Sequence, residues 1–206
     1  MLVKSISKNS LLLSLFAVCC TAMITLCYML TIDSIREQER IIANKALLEI
    51  FPESTHDNNI LDDIISSDQV DFDLMTEGEV IHVARQGERL VGYIFPVQSK
   101  NAYSNDIKLL IGISVSGNLK GVRVIQHNET PGLGDAIEIK KSDWITHFNN
   151  KSLLDPEKRL WKIKKDGGSF DQFTGASITP RSIVNTVYKT LVFYNDNHEL
   201  LLSKLL

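Results

Sequence analysis

The sequence predicts an α+β domain carried behind one apolar anchor helix, and three observations predict it. A charge-free run fills Asn9 to Ile32. Segments of alternating polarity then group together between Glu79 and His127. A segment of helical period opens at Thr179. Strands grouped first and helices after them define the α+β class. The 206 residues suffice for one domain of ordinary size plus the anchor.

The anchor comes first. Leu11 to Ile32 is 22 mostly apolar residues, and a helix of that length spans the roughly 30 Å of a bilayer core. A cleaved signal peptide has a shorter apolar run, of about 7–15 residues, and a small-residue cleavage site. The run here is longer, and no such site precedes Asp33. Lys4 and Lys8 lie before the span, and Arg36, Arg40 and Lys45 after it. The two sides nearly balance under the positive-inside rule. A short lysine-bearing tail places the N-terminus inside and the large domain outside. The expected order is a cytoplasmic tail over 1–8, an anchor over 9–32, a stalk helix over 33–52 and a periplasmic domain over 53–206.

The stalk is predicted from Ile35, Ile41, Ile42, Ala46, Leu48 and Ile50, a partial helical stripe ended by Pro52. Glu53 to Asp73 is acidic and polar, with "HDNN" and "SSDQ" as loop material. "EVIHVARQGERLVGYIFPV" predicts two strands turning near Gln86-Gly87. "DIKLLIGISVSGNLKGVRVIQH" predicts two more, turning at Gly117-Asn118. Ile111, Ile113 and Val115 alternate on one side, as do Val122, Val124 and Gln126 on the return, which predicts a half-buried antiparallel sheet. "SDWITHFNN" predicts a helix capped by Ser142, and "RLWKIKKDGGSF" a strand running into a turn at Gly167-Gly168. In the last helix, Ile183, Val184, Val187, Leu191 and Val192 share a face. Thr179 is its expected N-cap, with Pro180 at the first helical position.

Composition excludes some chemistry. All three cysteines, Cys19, Cys20 and Cys27, lie in the apolar run, so the rest of the chain has no thiol for a disulfide or metal site. Beyond residue 32 there are 20 basic and 25 acidic residues, a formal charge of −5. Nothing basic is clustered, so nucleic acid is not an expected partner. His127 and Glu129 are too few ligands for a closed metal site.

Two stretches have the pattern of a site. "HNETPGLGD" follows a strand, and Pro131, Gly132 and Gly134 make a tight turn that a flat ligand can approach. It is equally a plain strand-to-helix loop, without a dinucleotide fingerprint. "DQFTGASITPR" sets Asp171, Thr174, Ser177 and Thr179 at or before a helix N-terminus. Unpaired N–H groups and the helix dipole favour an anion there, and Gly175 and Ala176 leave it room. Plain capping accounts for the same residues. No nucleophile elbow is present.

Together and in this order, the two motifs resemble the FMN-binding domain of the G subunit of the Rnf (Rsx) ion-translocating electron-transport complex. That family is similar to the C subunit of the sodium-translocating NADH:quinone reductase. Its Asp-x-(Ser/Thr)-Gly-Ala-(Thr/Ser) mark is met by Thr174, Gly175, Ala176 and Ser177, with Asp171 one residue farther upstream than the pattern has it. "ETPGLGD", "KKDGGSFDQFTGASITPR" and the single anchor extend the resemblance over nearly the whole chain.

The resemblance implies one covalent FMN per chain, joined through its phosphate to the Ser177 hydroxyl by a separate flavin transferase that uses FAD. It implies that the ring meets the Glu129–Gly134 loop, with Glu129 and Thr130 as polar contacts, Leu133 as an apolar one and Gly132 in the turn. Thr174, Gly175 and Ala176 would shape the approach, Asp171 would fix the turn and Thr179 would start the helix. It further implies a flavoprotein of the inner membrane, assembled with the other Rnf subunits, that passes electrons in a translocase coupling transfer between ferredoxin-type carriers and NAD to ion movement. No residue acts as an acid, base or nucleophile toward a metabolite. Two departures stand out. Serine replaces the usual threonine at 177, and "KNAYSND" (100–106) replaces a Gly-Tyr-x-Gly turn while keeping Tyr103. The rival function is a non-redox anchored binding module whose Thr-Gly-Ala-Ser run only caps a helix.

Overall fold

A computed structural model describes residues 2–67 and 70–205. The loop expected at Asp68 and Gln69 lies outside the described residues, as do the side chains of Lys4, Lys8 and Glu39. The chain forms two compact units, Met1–Ile42 and Ala43–Leu206.

Helix α1 (Leu2–Ile50) crosses that division. It runs unbroken through the stretches expected as tail, anchor and stalk, and neither glycine nor proline occurs in it to interrupt it. In the first unit most of the described apolar side chains, Leu11, Phe16, Ile24 and Leu30 among them, are exposed. The helix is long and apolar enough to cross a membrane. Its hydroxyls stay inside the helix: Ser14, Thr21 and Thr31 each donate to the carbonyl four residues back, at 2.8–2.9 Å.

The second unit is built on a five-stranded antiparallel meander of β1 (Ile64–Ser66), β2 (Val80–Gln86), β3 (Arg89–Ser99), β4 (Ile107–Ser114) and β5 (Leu119–Gln126). The predicted turns carry left-handed backbone at Gly87 (φ 59°) and Gly117 (φ 79°). Strand β1 is an addition, found within the stretch expected to be loop; three residues are too few to show a period. Val115 lies beyond the end of β4 and is exposed, and Gln126 is exposed as well.

The half-buried sheet is corrected. Seven of the eight residues of β4 are buried, so both faces of the sheet are covered. On one face Tyr93, Phe95, Ile111, Ile113 and Val122 pack with Ile183, Val184, Val187 and Leu191 of α2 (Ile178–Ser203). On the other, Ile94, Leu110 and Ala84 pack with Ala46, Leu47, Ile50 and Phe51. That second face explains Gly112, where a Cβ would stand 2.1 Å from Ile50 Cγ2. The expected stalk stripe is therefore shifted. Its packed positions are Ala46, Leu47 and Ile50, while Ile35, Ile41 and Ile42 are exposed.

Two further elements differ from expectation. Residues Trp144–Phe148 form a 3₁₀ helix, not a capped α-helix. Ser142 Oγ instead donates to the Ala136 carbonyl at 2.6 Å and accepts the Trp144 N–H. "RLWKIKKDGGSF" forms two 3₁₀ turns and one isolated bridge between Ile163 and Phe170, not a strand. The cause is the predicted Gly167-Gly168 turn: a Cβ at Gly168 would stand 1.9 Å from the Lys162 carbonyl oxygen, so the chain closes on itself. Around it Trp161, Phe170, Phe148 and Trp144 pack, stacked, tilted or edge to face, as an aromatic part of the core.

Candidate functional site

Three loops converge where α2 begins: the β3–β4 connection, the segment leaving β5, and Gly175–Ser177. They enclose a cavity of about 400 Å³ lined by Tyr103, Glu129, Thr130, Leu133, Gly134, Gly175, Ala176, Ser177, Ile178 and Thr179. That lies in the range of about 300–1,000 Å³ typical of small-molecule sites. Both stretches singled out in the sequence contribute to its wall, 50 residues apart at Glu129 and Thr179.

Glu129 joins the three loops. Its side chain is buried, and Oε2 accepts the Thr179 hydroxyl at 2.5 Å while Oε1 accepts the Ser104 N–H at 3.1 Å. A buried carboxylate is costly unless such donors surround it. Gly134 lets the loop close over this pair, for a Cβ there would stand 2.5 Å from Glu129 Oε2. The expected Thr179 cap is thus corrected: Thr179 is already the second residue of α2, and its hydroxyl donates across to the Glu129 carboxylate. Pro180 is the third residue of α2, whose N-cap is Ser177.

The Ser177 side chain makes no capping hydrogen bond, is half-buried and faces the cavity. It stands at the N-terminus of a 26-residue helix, whose first-turn N–H groups lack intrahelical acceptors. Gly175 (φ 80°) turns the chain just before it. Tyr103, Leu133 and Ile178 are 69%, 46% and 43% exposed. They give the cavity wall apolar surface that a flat ring can cover.

Behind the loop lies a charged set. His127 Nδ1 accepts the Glu129 N–H at 3.1 Å, which assigns the ring proton to Nε2, 3.0 Å from Glu138 Oε1. Lys141 Nζ bonds Glu138 at 2.6 Å and Asp135 at 2.8 Å. Lys141, and after it the Gly132 N–H, holds the Asp135 carboxyl below the usual carboxylate range. Lys141 and then His127 do the same for Glu138, and the two acids raise Lys141.

Three predicted residues are off the wall. Asp171 is exposed and pairs with Lys164 at 2.6 Å, and its carbonyl accepts the Trp144 indole N–H at 2.8 Å. Thr174 is exposed, and Gly132 (φ 77°) serves the turn. Tyr103 and Ile178 join the wall without having been predicted as site residues. The aromatic kept in "KNAYSND" was a signal for Tyr103, while nothing in the pattern marked Ile178.

A second cavity, of about 630 Å³, shares Ile178 with the first. Lys100, Lys158, Lys162 and Arg181 line it. This corrects the expectation that nothing basic clusters: residues 58 or more apart in sequence, Lys100 against the others, meet only through the fold.

The FMN-binding domain family matches residues 102–192, which hold the whole cavity wall, and the RnfG N-terminal region matches residues 1–50. The chain is 40% identical over 200 residues to the G subunit of the ion-translocating oxidoreductase complex of Shewanella piezotolerans, covering 97% of this chain and 94% of that one. The Pseudomonas aeruginosa G subunit has the same identity and coverage. That of Vibrio vulnificus is 37% identical over 205 residues, covering 98% of this chain and 96% of the relative. The similarity runs along nearly the whole length of both chains, and the chain belongs to the family of G subunits of ion-translocating oxidoreductase complexes.

Proposed function

We propose that this chain is a membrane-anchored electron-transfer subunit that carries one FMN, joined by its phosphate to Ser177, within a complex that couples electron transfer to ion translocation. The observation that carries the proposal is the free Ser177 hydroxyl at the N-terminus of α2, on the wall of the cavity that the Glu129–Gly134 loop closes. The family match to an FMN-binding domain supports the cofactor.

The residues fit such a group. A phosphoester on Ser177 would keep its remaining charge at the helix N-terminus, where N–H groups and dipole favour it. A flavin transferase acting on FAD would form the Oγ–phosphorus bond, break the pyrophosphate and release AMP, the serine proton passing to solvent. Serine offers the hydroxyl of the more usual threonine. Tyr103, Leu133 and Ile178 offer apolar surface to the ring, and Thr130 a polar contact. Glu129 already has donors on both oxygens, so its part is to hold three loops in place. FMN would supply the electron chemistry, and the protein its position and surroundings. Partners are the other Rnf subunits.

The rival, a module whose Thr-Gly-Ala-Ser run only caps α2, has less support, since neither Ser177 nor Thr179 makes a side-chain cap. Chain co-produced with the transferase is expected to give a fluorescent flavin band on a denaturing gel, and Ser177→Ala to lose it. Ser177→Thr is expected to keep it. Wild-type protein of unmodified mass would refute the covalent flavin, and loss of label in Thr174→Ala but not Ser177→Ala would move its site. We also place the anchor in the inner membrane and the domain on the periplasmic side, on the strength of the single apolar helix and the cysteine-free domain. Protease added after opening the outer membrane is then expected to digest the domain, and full protection would reverse the topology.

A further inference from the structure

The basic cavity beside Ser177 is unusual in its charge. Of its four cations, Arg181 is committed to Asp166, at 2.6 and 3.0 Å. Each raises or lowers the other in the sense of a formed ion pair. Lys158 and Lys162 make no direct ion pair with a carboxylate among the described residues, although Lys162 lies near enough to Asp166 to lower it, and Lys100 Nζ bonds the Asp73 carbonyl at 2.8 Å. Three lysines without an ion-pair bond to a carboxylate therefore line one groove, beside the Arg181–Asp166 pair. The chain beyond the anchor carries a formal −5, so this is a local reversal of sign. Ile178, 43% exposed, separates the groove from the Ser177 cavity.

We propose that this groove docks an acidic face of the protein that exchanges electrons with the group borne on Ser177, and the proposal rests on the FMN reading above. An acidic partner is repelled by the net charge of the domain and attracted by the groove, so the charges select one orientation as well as one contact. That orientation sets the partner against Ile178, Leu133 and Tyr103, the apolar side chains on the cavity wall. Electron-transfer contacts are small, and charge serves their rate and orientation more than their strength.

The test uses the full chain in its purified membrane complex. Lys158→Glu/Lys162→Glu and Lys158→Arg/Lys162→Arg are compared with wild type for the flavin band and for the rate of flavin reduction at low and high salt. The bands should be equal. At low salt the glutamate pair should be reduced roughly tenfold more slowly, and the arginine pair at the wild-type rate. Raising salt should slow the wild type and bring the two rates together, since the Debye length falls from about 30 Å at 0.01 M to about 3 Å at 1 M. A glutamate pair with the wild-type rate and salt slope overturns the proposal. Loss of its flavin band also overturns it, assigning the groove to the transferase. A dark wild type refutes the underlying FMN reading instead.

Discussion

Thr179→Val separates the two hydroxyls that the sequence placed side by side. Valine keeps the shape of threonine and removes the donor. Thr179 is fully buried, and its partner Glu129 would keep one of its two donors, the Ser104 N–H. A hydrogen bond to a charged group contributes about 1.5–3 kcal/mol, and a buried carboxylate left short of donors cannot turn to water. The expected loss is therefore about 1.5–3 kcal/mol. For a unit of this size that lowers Tm by about 3–12 °C, at roughly 2–4 °C per kcal/mol. The assay is urea and thermal unfolding of the full chain in detergent, followed by tryptophan fluorescence. Ser177→Ala is the control: its hydroxyl makes no capping bond and is half-buried, so the cost should stay within about 0.5 kcal/mol. Two results refute the reasoning. One is Thr179→Val within about 0.5 kcal/mol of wild type, the limit for sites without structural consequence. The other is Ser177→Ala as damaging as Thr179→Val.

Gly112→Val places a branched side chain where a Cβ alone would meet Ile50 Cγ2 at 2.1 Å. Strand propensity favours valine, overpacking opposes it by about 1–3 kcal/mol or more, and the urea midpoint should fall; Ile50→Ala in the same chain should recover part of the loss. Lys141→Met tests the charged set behind the cavity. Asp135 and Glu138 are lowered in the folded state, so their contribution is full above the unfolded carboxylate range and is lost as pH falls through the folded values. Lys141 is raised, so its contribution is present below its unfolded value and is lost as pH rises through the folded one. Wild-type stability should fall at both ends of the pH scale, and the variant should fall less at each. An unchanged profile of urea midpoint against pH would show that the pairing is without thermodynamic effect.

Period and punctuation carried most of the fold into view before any coordinates. The strands β2 to β5, the turns at Gly87 and Gly117 and the packed face Ile183, Val184, Val187 and Leu191 follow from local alternation and spacing. The charge-free run was legible for the same reason, since its length and composition are properties of neighbours in the chain. Eight of the eleven predicted site residues lie on the cavity wall. Asp171 does not, because a nearby lysine and an indole N–H take up its polar groups.

The remainder depended on atoms distant in sequence. No period tells that β4 is buried on both faces; that needs the end of α1 against Gly112 and Leu110. A hydroxyl at a helix start looks like a cap until the fold sets it inside the first turn and a buried carboxylate 50 residues away accepts its hydrogen bond, as Glu129 does from Thr179. Four cations scattered from Lys100 to Arg181 make one electropositive groove only when the chain folds them together. Local backbone preference and amphipathic period act over a few residues, so the sequence by itself determined the elements and the two motifs. Burial, hydrogen-bond competition and summed charge act through space, so only the tertiary structure decided which hydroxyl is structural and which stands free at the cavity.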